Sequence, residues 1–225
     1  MIAKIEEVTE HQVENMDNRQ KTLENYLDSV QVVPVLTVDD ATKATMIAET
    51  LVAGGLHVLE VTLRTEAAFK AINAMTKVKG AIVGAGTLLN SNHIKRSKEA
   101  GAAFGVSPGS TQTILEACHE FELPLLPGTD NVSTALTNLE HGYTYQKFFP
   151  AESSGGIEKL RALYSPLPEI KFCPTGGVSA TNAADYLNLP NVCCVGGSWI
   201  APEFQIETNS WDKIKQLASQ AAQLG

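Results

Sequence analysis

Residues 57–87 read HVLEVTLRTEAAFKAINAMTKVKGAIVGAGT, and this stretch decides the fold. It begins and ends with short apolar runs, HVLEVTL and AIVGAGT, whose β-branched residues favour strands. Between the two runs, Thr65 and Glu66 provide a helix start, and Phe69 and Ile72 follow at helical spacing. The stretch therefore predicts a strand, a helix and a second strand, which is the unit that joins two parallel strands.

The same unit repeats along the chain. Eight apolar runs begin about 20 to 26 residues apart, which is enough for one strand, one helix and two short loops. The runs are VVPVLTV (from Val32), HVLEVTL (His57), AIVGAGT (Ala81), AFGVSPG (Ala103), LPLLPG (Leu123), YQKFFPA (Tyr145), IKFCPTGG (Ile170) and VCCVGGS (Val192). Apolar strands that alternate with helices indicate an α/β fold, and eight units favour a single closed (β/α)8 barrel, or TIM barrel, over an open doubly wound sheet.

Two further helices are predicted from their boundaries. One follows Asp39 and Asp40 and ends at Gly54-Gly55, and the other starts at Ser91 and ends at Gly101. Residues 1–18 carry five acidic residues against one lysine, which predicts a solvated extension. Residues 19–29 predict a short helix, so we assign residues 1–30 to an N-terminal acidic extension and helix, and residues 31–225 to the barrel.

Charge and hydropathy exclude several classes of partner. The 225 residues carry 17 Lys and Arg against 25 Asp and Glu, a net charge of −8, which argues against nucleic acid or an anionic membrane as the main partner. No apolar run approaches the roughly 18 to 20 residues of a spanning helix, and the start is polar rather than signal-like. We therefore expect a cytoplasmic protein.

The cysteines and histidines give no metal signature. Four cysteines, at positions 118, 173, 193 and 194, lack CxxC spacing, and this indicates neither a disulfide framework nor a zinc site. The five histidines stand far apart and never form HxH or HExxH. We expect no metal and no cofactor.

Two charged residues interrupt predicted strands. Lys147 lies within YQKFFPA and Glu60 within HVLEVTL. A lysine in a strand usually reaches water or pairs with an acid, but burial disfavours the charged form of an amine and leaves a neutral nucleophile for a carbonyl carbon. Glu60 is then either a counter-ion for Lys147 or a proton-transfer group. Arg64, just past the strand, offers a fork for a carboxylate or is a surface residue in a first helical turn.

Other candidate residues lie at the ends of the runs, where a barrel builds its active site. Thr87 provides a hydroxyl beside two glycines, although taken singly it is better explained as a helix cap. Pro108 shapes the rim after the fourth run, or simply a turn. Two glycine pairs follow the seventh and eighth runs, where barrels commonly bind phosphate through backbone N–H groups. These two stretches are Thr175-Gly176-Gly177 and Gly196-Gly197-Ser198.

An ordered series of motifs resembles the 2-keto-3-deoxy-6-phosphogluconate (KDPG) and 4-hydroxy-2-oxoglutarate (KHG) aldolases, which are class I aldolases. The resemblance covers roughly residues 32–202. Its motifs are GGLHVLEVTLRTE (54–66), IVGAGTLLN (82–90), VSPG (106–109), KFFPAE (147–152), FCPTGG (172–177) and VGGSW (195–199).

The resemblance implies a role for each candidate residue. Lys147 would form the Schiff base, Glu60 would act as general acid and base, and Arg64 and Thr87 would bind the carboxylate of the pyruvyl half. Pro108 and Phe149 would line the pocket. The phosphate would lie near Thr175, Gly176, Gly177, Gly197 and Ser198. The implied partners are a 2-keto acid, a phosphorylated aldehyde and further copies of the chain in a homotrimer, in the Entner–Doudoroff pathway.

One rim residue departs from the family pattern, and three rival functions stay open. The chain reads PGTDN at 127–131, where we expect small neutral residues, so Asp130 adds a charge that either disfavours an anionic aldehyde half or is solvated. The first rival is an aldolase for the C4 epimer, 2-keto-3-deoxy-6-phosphogalactonate. The second is a phosphate-binding isomerase or epimerase with Glu60 as base. The third is a sensor that binds sugar phosphates without turnover.

Overall fold

Short apolar strands alternate with helices in a computed structural model that describes residues 10–224, with side chains described from residue 18 onward. The strands are β1 (Val32–Leu36), β2 (Val58–Thr62), β3 (Ile82–Gly86), β4 (Phe104–Val106), β5 (Leu125–Leu126), β6 (Gly128–Thr129), β7 (Tyr145–Phe148), β8 (Lys171–Pro174) and β9 (Val195–Gly197). The helices are α1 (Glu10–Asp28), α2 (Ala44–Ala53), α3 (Ala68–Met75), α4 (Ser91–Glu99), α5 (Gln112–Glu120), α6 (Val132–Glu140), α7 (Gly156–Tyr164), α8 (Ala183–Leu187), α9 (Glu203–Glu207) and α10 (Trp211–Ala221). Short 3-10 turns cover Ala41–Lys43 and Glu152–Ser154.

The strands pair in parallel, which confirms the predicted α/β class. They form two ladders, in the orders β5-β4-β3-β2-β1-β9 and β6-β7-β8, rather than one continuous eight-stranded ladder. The fifth predicted run is divided into β5 and β6 because Pro127 lies between them and has no N–H for the ladder. Isolated bridges from Phe172 to Val192 and from Thr175 to Gly196 connect β8 with the β9 region.

Capping residues fix where the helices begin and end. The Asp40 carboxylate accepts a hydrogen bond from the Thr42 N–H at 2.9 Å and starts the turn before α2, which ends at Gly54 as predicted. Asn90, one residue before the predicted Ser91, caps α4 by accepting from the His93 N–H at 2.9 Å. The cap alternative for Thr87 is therefore wrong.

The strands bury both faces. One face packs under the helices, with Leu59, Val83 and Phe172 in the larger core cluster. The other face contributes Val58, Phe104 and further strand residues to a second apolar cluster that includes Leu23 and Leu27 of α1. Helix α1 thus packs against the strand face that carries the second apolar cluster.

The N-terminal segment is helical over a longer range than the sequence predicted. The predicted helix at 19–29 is the second half of α1, which begins at Glu10. The rest of the predicted solvated extension, residues 1–9, lies outside the described residues. Among the helices described between residues 10 and 224, none has the length and apolar character needed to cross a membrane. All four cysteines are free thiols.

Candidate active site

Lys147 and Glu60 form a buried ion pair. The Lys147 Nζ donates to Glu60 Oε1 at 3.1 Å and to Oε2 at 3.4 Å, and the two residues are 5% and 3% exposed. Lys147 is in register with Cys173, and Glu60 lies two residues beyond Val58, so both share the face of the strands that carries the second apolar cluster. The structure therefore brings together the two residues that interrupt the apolar runs.

Gly86 of β3 leaves the space that the Glu60 side chain occupies, whereas Gly84 of the same strand makes room for Phe104. Glu60 is in register with Gly84, and a Cβ at Gly86 would lie 2.7 Å from Glu60 Cγ and 2.8 Å from Cδ. A Cβ at Gly84 would overlap the ring of Phe104. Any side chain at Gly86 would thus displace the Glu60 carboxylate, a role the sequence analysis missed because a glycine in a strand does not reveal which neighbour fills its space.

Arg64 and Thr87 follow the ends of neighbouring strands. Thr62 of β2 is in register with Gly86 of β3, and the Leu63 N–H donates to the Gly86 carbonyl at 2.9 Å. Arg64 is exposed in the turn before α3, and its guanidinium donates no hydrogen bond to the residues that the structure describes. Thr87 has a φ of 62°, a left-handed conformation that is unusual for a β-branched residue and that concentrates at functional sites.

Phe149 and Pro108 lie at the same end of the strands. The Phe149 ring centroid is 5.3 Å from Lys147 Nζ, close enough for a cation–π contact. Pro108 packs its backbone against Gly128, where a Cβ would overlap the Pro108 carbonyl. Gly128 of β6 is in register with Lys147 of β7, so the loop after β4 lies against the strand that pairs with the lysine's strand.

The two glycine loops meet beside β8. The bridge between Thr175 and Gly196 brings them together, and Gly196 leaves the space that the Thr175 hydroxyl fills. Gly176 and Gly177 have φ of 96° and 81°. Within residues 10–224, the backbone N–H groups of residues 176–178 and of residues 198 and 199 donate no hydrogen bond. Unpaired amide groups at converging loops form a concavity suited to an anion.

The rim residue that departs from the family pattern is exposed. The Asp130 carboxylate accepts a hydrogen bond from the Asn131 side chain at 2.7 Å, and Asn131 in turn caps α6. The backbone carbonyl of Asp130 accepts a hydrogen bond from Lys159. Asp130 is thus held by its neighbours at the start of α6, as a solvated residue.

A contact between Glu152 and Tyr186 was also missed. The Tyr186 hydroxyl donates to a carboxylate oxygen of Glu152, and Glu152 packs against Gly177. These residues are 34 positions apart in sequence. The motifs KFFPAE and FCPTGG mark Glu152 and Gly177, but no signal in the sequence links either to a tyrosine in α8.

An amine buried beside a carboxylate, at the carboxyl ends of parallel strands, is the arrangement with which class I aldolases form Schiff bases with ketones. The chain is an enzyme of this class, a carbon–carbon lyase. The family model described as KDPG and KHG aldolase matches residues 23–217.

Known proteins are similar over most of the chain. A 2-dehydro-3-deoxy-phosphogluconate aldolase of Pseudoalteromonas atlantica is 49% identical over 84% of this chain and 89% of its own. A KHG/KDPG aldolase of Escherichia coli K12 is 46% identical over 92% and 98%. The crystal structure of a KDPG aldolase from Legionella pneumophila, with pyruvate captured as a covalent carbinolamine, has a TM-score of 0.86 and 42% identity, covering 88% of this chain and 97% of that one. The chain belongs to the KDPG and KHG aldolase family.

Proposed function

We propose that this protein cleaves 2-keto-3-deoxy-6-phosphogluconate to pyruvate and glyceraldehyde-3-phosphate, and 4-hydroxy-2-oxoglutarate to pyruvate and glyoxylate, through a Schiff base on Lys147. The observation that carries the proposal is the buried contact of 3.1 Å between Lys147 and Glu60. The covalent carbinolamine in the Legionella pneumophila relative supports the same chemistry.

Carbon–carbon cleavage follows from the chemistry of these two side chains. Transfer of a proton from the Lys147 ammonium to Glu60 leaves a neutral amine, which attacks the C2 ketone carbon. Glu60 then gives that proton to the carbinolamine hydroxyl, which leaves as water. Glu60 then accepts the proton of the C4 hydroxyl while the C3–C4 bond breaks. The bonding electrons pass into the iminium to give an enamine, and the C4 fragment leaves as an aldehyde. Protonation at C3 and hydrolysis of the imine release pyruvate and restore the amine.

The pyruvyl half would be held at the ends of β2 and β3. Arg64 supplies an exposed guanidinium for the substrate carboxylate, and the Thr87 hydroxyl lies after the neighbouring strand. Phe149 beside the lysine, and Pro108 on the adjoining loop, would form the walls that exclude water from the imine.

The phosphorylated aldehyde half would lie on the two glycine loops. Unpaired N–H groups in residues 176–178 and at Ser198 are donors for phosphate oxygens, and the glycines allow the ligand to approach the backbone. Thr175 and Gly197 would complete this subsite, since the bridge between Thr175 and Gly196 fixes the spacing of the loops. The reaction uses no metal or cofactor in this proposal.

We extend the proposal to the architecture and assembly. Residues 31–225 would form a closed (β/α)8 barrel, because Pro127 alone separates the two ladders on one side and the β8 bridges join them on the other. Residues 1–30 would be the N-terminal extension and its helix. The family resemblance supports a cytoplasmic homotrimer, and sedimentation equilibrium would give the mass of the assembly.

The decisive experiment is trapping with borohydride. Incubation with pyruvate and sodium borohydride, followed by digestion and mass spectrometry, should place a reduced pyruvyl adduct on Lys147. Lys147→Met should lose the adduct. Lys159→Met, which removes a lysine near the Phe148 ring, should keep it. Folded protein that yields no adduct would support the isomerase instead.

The choice of aldehyde needs a second measurement. Pyruvate release should be followed with the phosphogluconate-derived substrate, its C4 epimer and 4-hydroxy-2-oxoglutarate. A higher kcat/KM for the C4 epimer would replace the proposed substrate with 2-keto-3-deoxy-6-phosphogalactonate and leave the Schiff base intact.

A further inference from the structure

The loop after β8 is held by hydrogen bonds from two sides. The Glu152 N–H donates to the Gly176 carbonyl at 3.1 Å, and the Asn182 side-chain amide donates to the Gly177 carbonyl at 3.2 Å. Both glycines have positive φ, so few other residues could adopt this backbone. With their carbonyls bound to the protein, the N–H groups of residues 176–178 are left for a ligand.

The Glu152 side chain braces the same loop. A Cβ at Gly177 would lie 2.5 Å from Glu152 Cγ and 2.7 Å from its Cβ, so the side chain lies directly against this glycine. The carboxylate is held away from the loop by the hydroxyl of Tyr186, a fully buried side chain of α8. Gly156 leaves room for the pair, because a Cβ there would lie 3.3 Å from the Tyr186 hydroxyl.

The direction of the carboxylate matters because of its charge. Glu152 carries a negative charge beside backbone donors that would bind a phosphate dianion. A carboxylate free to rotate would accept hydrogen bonds from those donors or repel the phosphate. Burial, followed by the hydrogen bond to Glu152, raises the pKa of the Tyr186 phenol above its usual range, so Tyr186 stays a donor at neutral pH.

We propose that Glu152 and Tyr186 are positioning residues that keep the Gly176-Gly177 loop open for phosphate, and so set the preference for phosphorylated over unphosphorylated aldehyde halves. This inference rests on the proposed aldolase function. Glu152 lies in the 3-10 turn after β7 and Tyr186 in α8, and neither hydrogen-bonds to Lys147 or Glu60, which carry the proposed chemistry. The pair therefore affects the substrate half that carries phosphate and leaves the pyruvyl half alone.

The test compares two substrates in the same variants. Tyr186→Phe releases the carboxylate and should raise KM for the phosphorylated substrate about tenfold, the effect of one hydrogen bond to a charged group, with kcat retained. Glu152→Ala removes the brace and should do the same. Kinetics with 4-hydroxy-2-oxoglutarate should not change. Glu152→Gln keeps an acceptor for Tyr186, so its KM for the phosphorylated substrate should equal that of wild type. Inorganic phosphate should inhibit Tyr186→Phe more weakly than wild type.

The controls separate this inference from a structural role and from the aldolase function itself. Tyr164→Phe, which changes an exposed tyrosine of α7, should leave both substrates unaffected. An equal rise in KM for both substrates, or no rise for either, would overturn the positioning role. If the wild-type protein releases no pyruvate from either substrate, the proposed function has failed. Phosphate inhibition cannot then be read, so binding of inorganic phosphate to wild type and Tyr186→Phe should be compared by calorimetry, where equal affinities would overturn the inference.

Discussion

Gly86→Ala is expected to disable the site while the chain stays folded. The new Cβ would lie 2.7 Å from Glu60 Cγ, and carbon atoms in contact prefer about 3.5–4.0 Å, so Glu60 must retreat by roughly 1 Å. The hydrogen bond of 3.1 Å to Lys147 would then be broken. Misplacement of a reacting group by about 1 Å costs on the order of 100-fold, so kcat should fall about 100-fold.

Two other glycines provide matched controls. Gly84→Ala meets the Phe104 ring instead of Glu60, so it should lower the free energy of unfolding by about 1–3 kcal/mol through overpacking and leave kcat nearly unchanged. Gly109→Ala meets nothing within 4 Å and should change neither quantity. The assays are pyruvate release and urea denaturation. Wild-type kcat in folded Gly86→Ala, or an equal loss in Gly84→Ala, would refute the steric argument.

Three further predictions concern the ion pair and the buried thiols. Glu60→Gln should still form the imine but cleave about 10²–10⁴-fold more slowly, measured as borohydride adduct against pyruvate release; near-wild-type cleavage would contradict its role. Lys147→Met leaves the Glu60 carboxylate buried without a counter-charge and should lower the free energy of unfolding by about 3–5 kcal/mol in urea, part of which the added Glu60→Gln restores. Burial raises the pKa of the Cys118 thiol to about 12. Between about pH 9 and pH 12 the Cys118 thiol then keeps its proton in the folded state, whereas the unfolded chain loses it. The free energy of unfolding should therefore fall as pH rises through this range, and urea titrations of Cys118→Ala should show a weaker fall.

Much of the fold could be predicted because its signal is local. Apolar runs and capping residues lie within short windows, so the strand and helix boundaries mostly agree with the structure. The division of the fifth run at Pro127 was missed, because a proline inside an apolar run allows more than one boundary. The cap of α4 is Asn90, one residue before the predicted Ser91, because either of two adjacent polar residues can cap a helix. Helix α1 begins nine residues early, because its polar first half has no apolar periodicity to reveal it.

The site was predictable where a residue contradicts its surroundings. A lysine and a glutamate inside apolar strands stand out, and the structure places them 3.1 Å apart. The space at Gly86 and the brace formed by Glu152 and Tyr186 depend on packing between distant segments. The left-handed backbone of Thr87 likewise depends on the turn that contains it, and a threonine in the sequence does not indicate this conformation.

The second apolar cluster, which includes Leu23 and Leu27 of α1, fills the space between the strands on one side of the ion pair. The proposed pocket would therefore have a single opening. The substrate and both products would then enter and leave through that opening. In the proposed mechanism the pyruvyl fragment would stay bonded to Lys147 after the aldehyde has left, so the two products would depart in a fixed order. Steady-state kinetics should accordingly register pyruvate as a competitive product inhibitor and the aldehyde as a noncompetitive one.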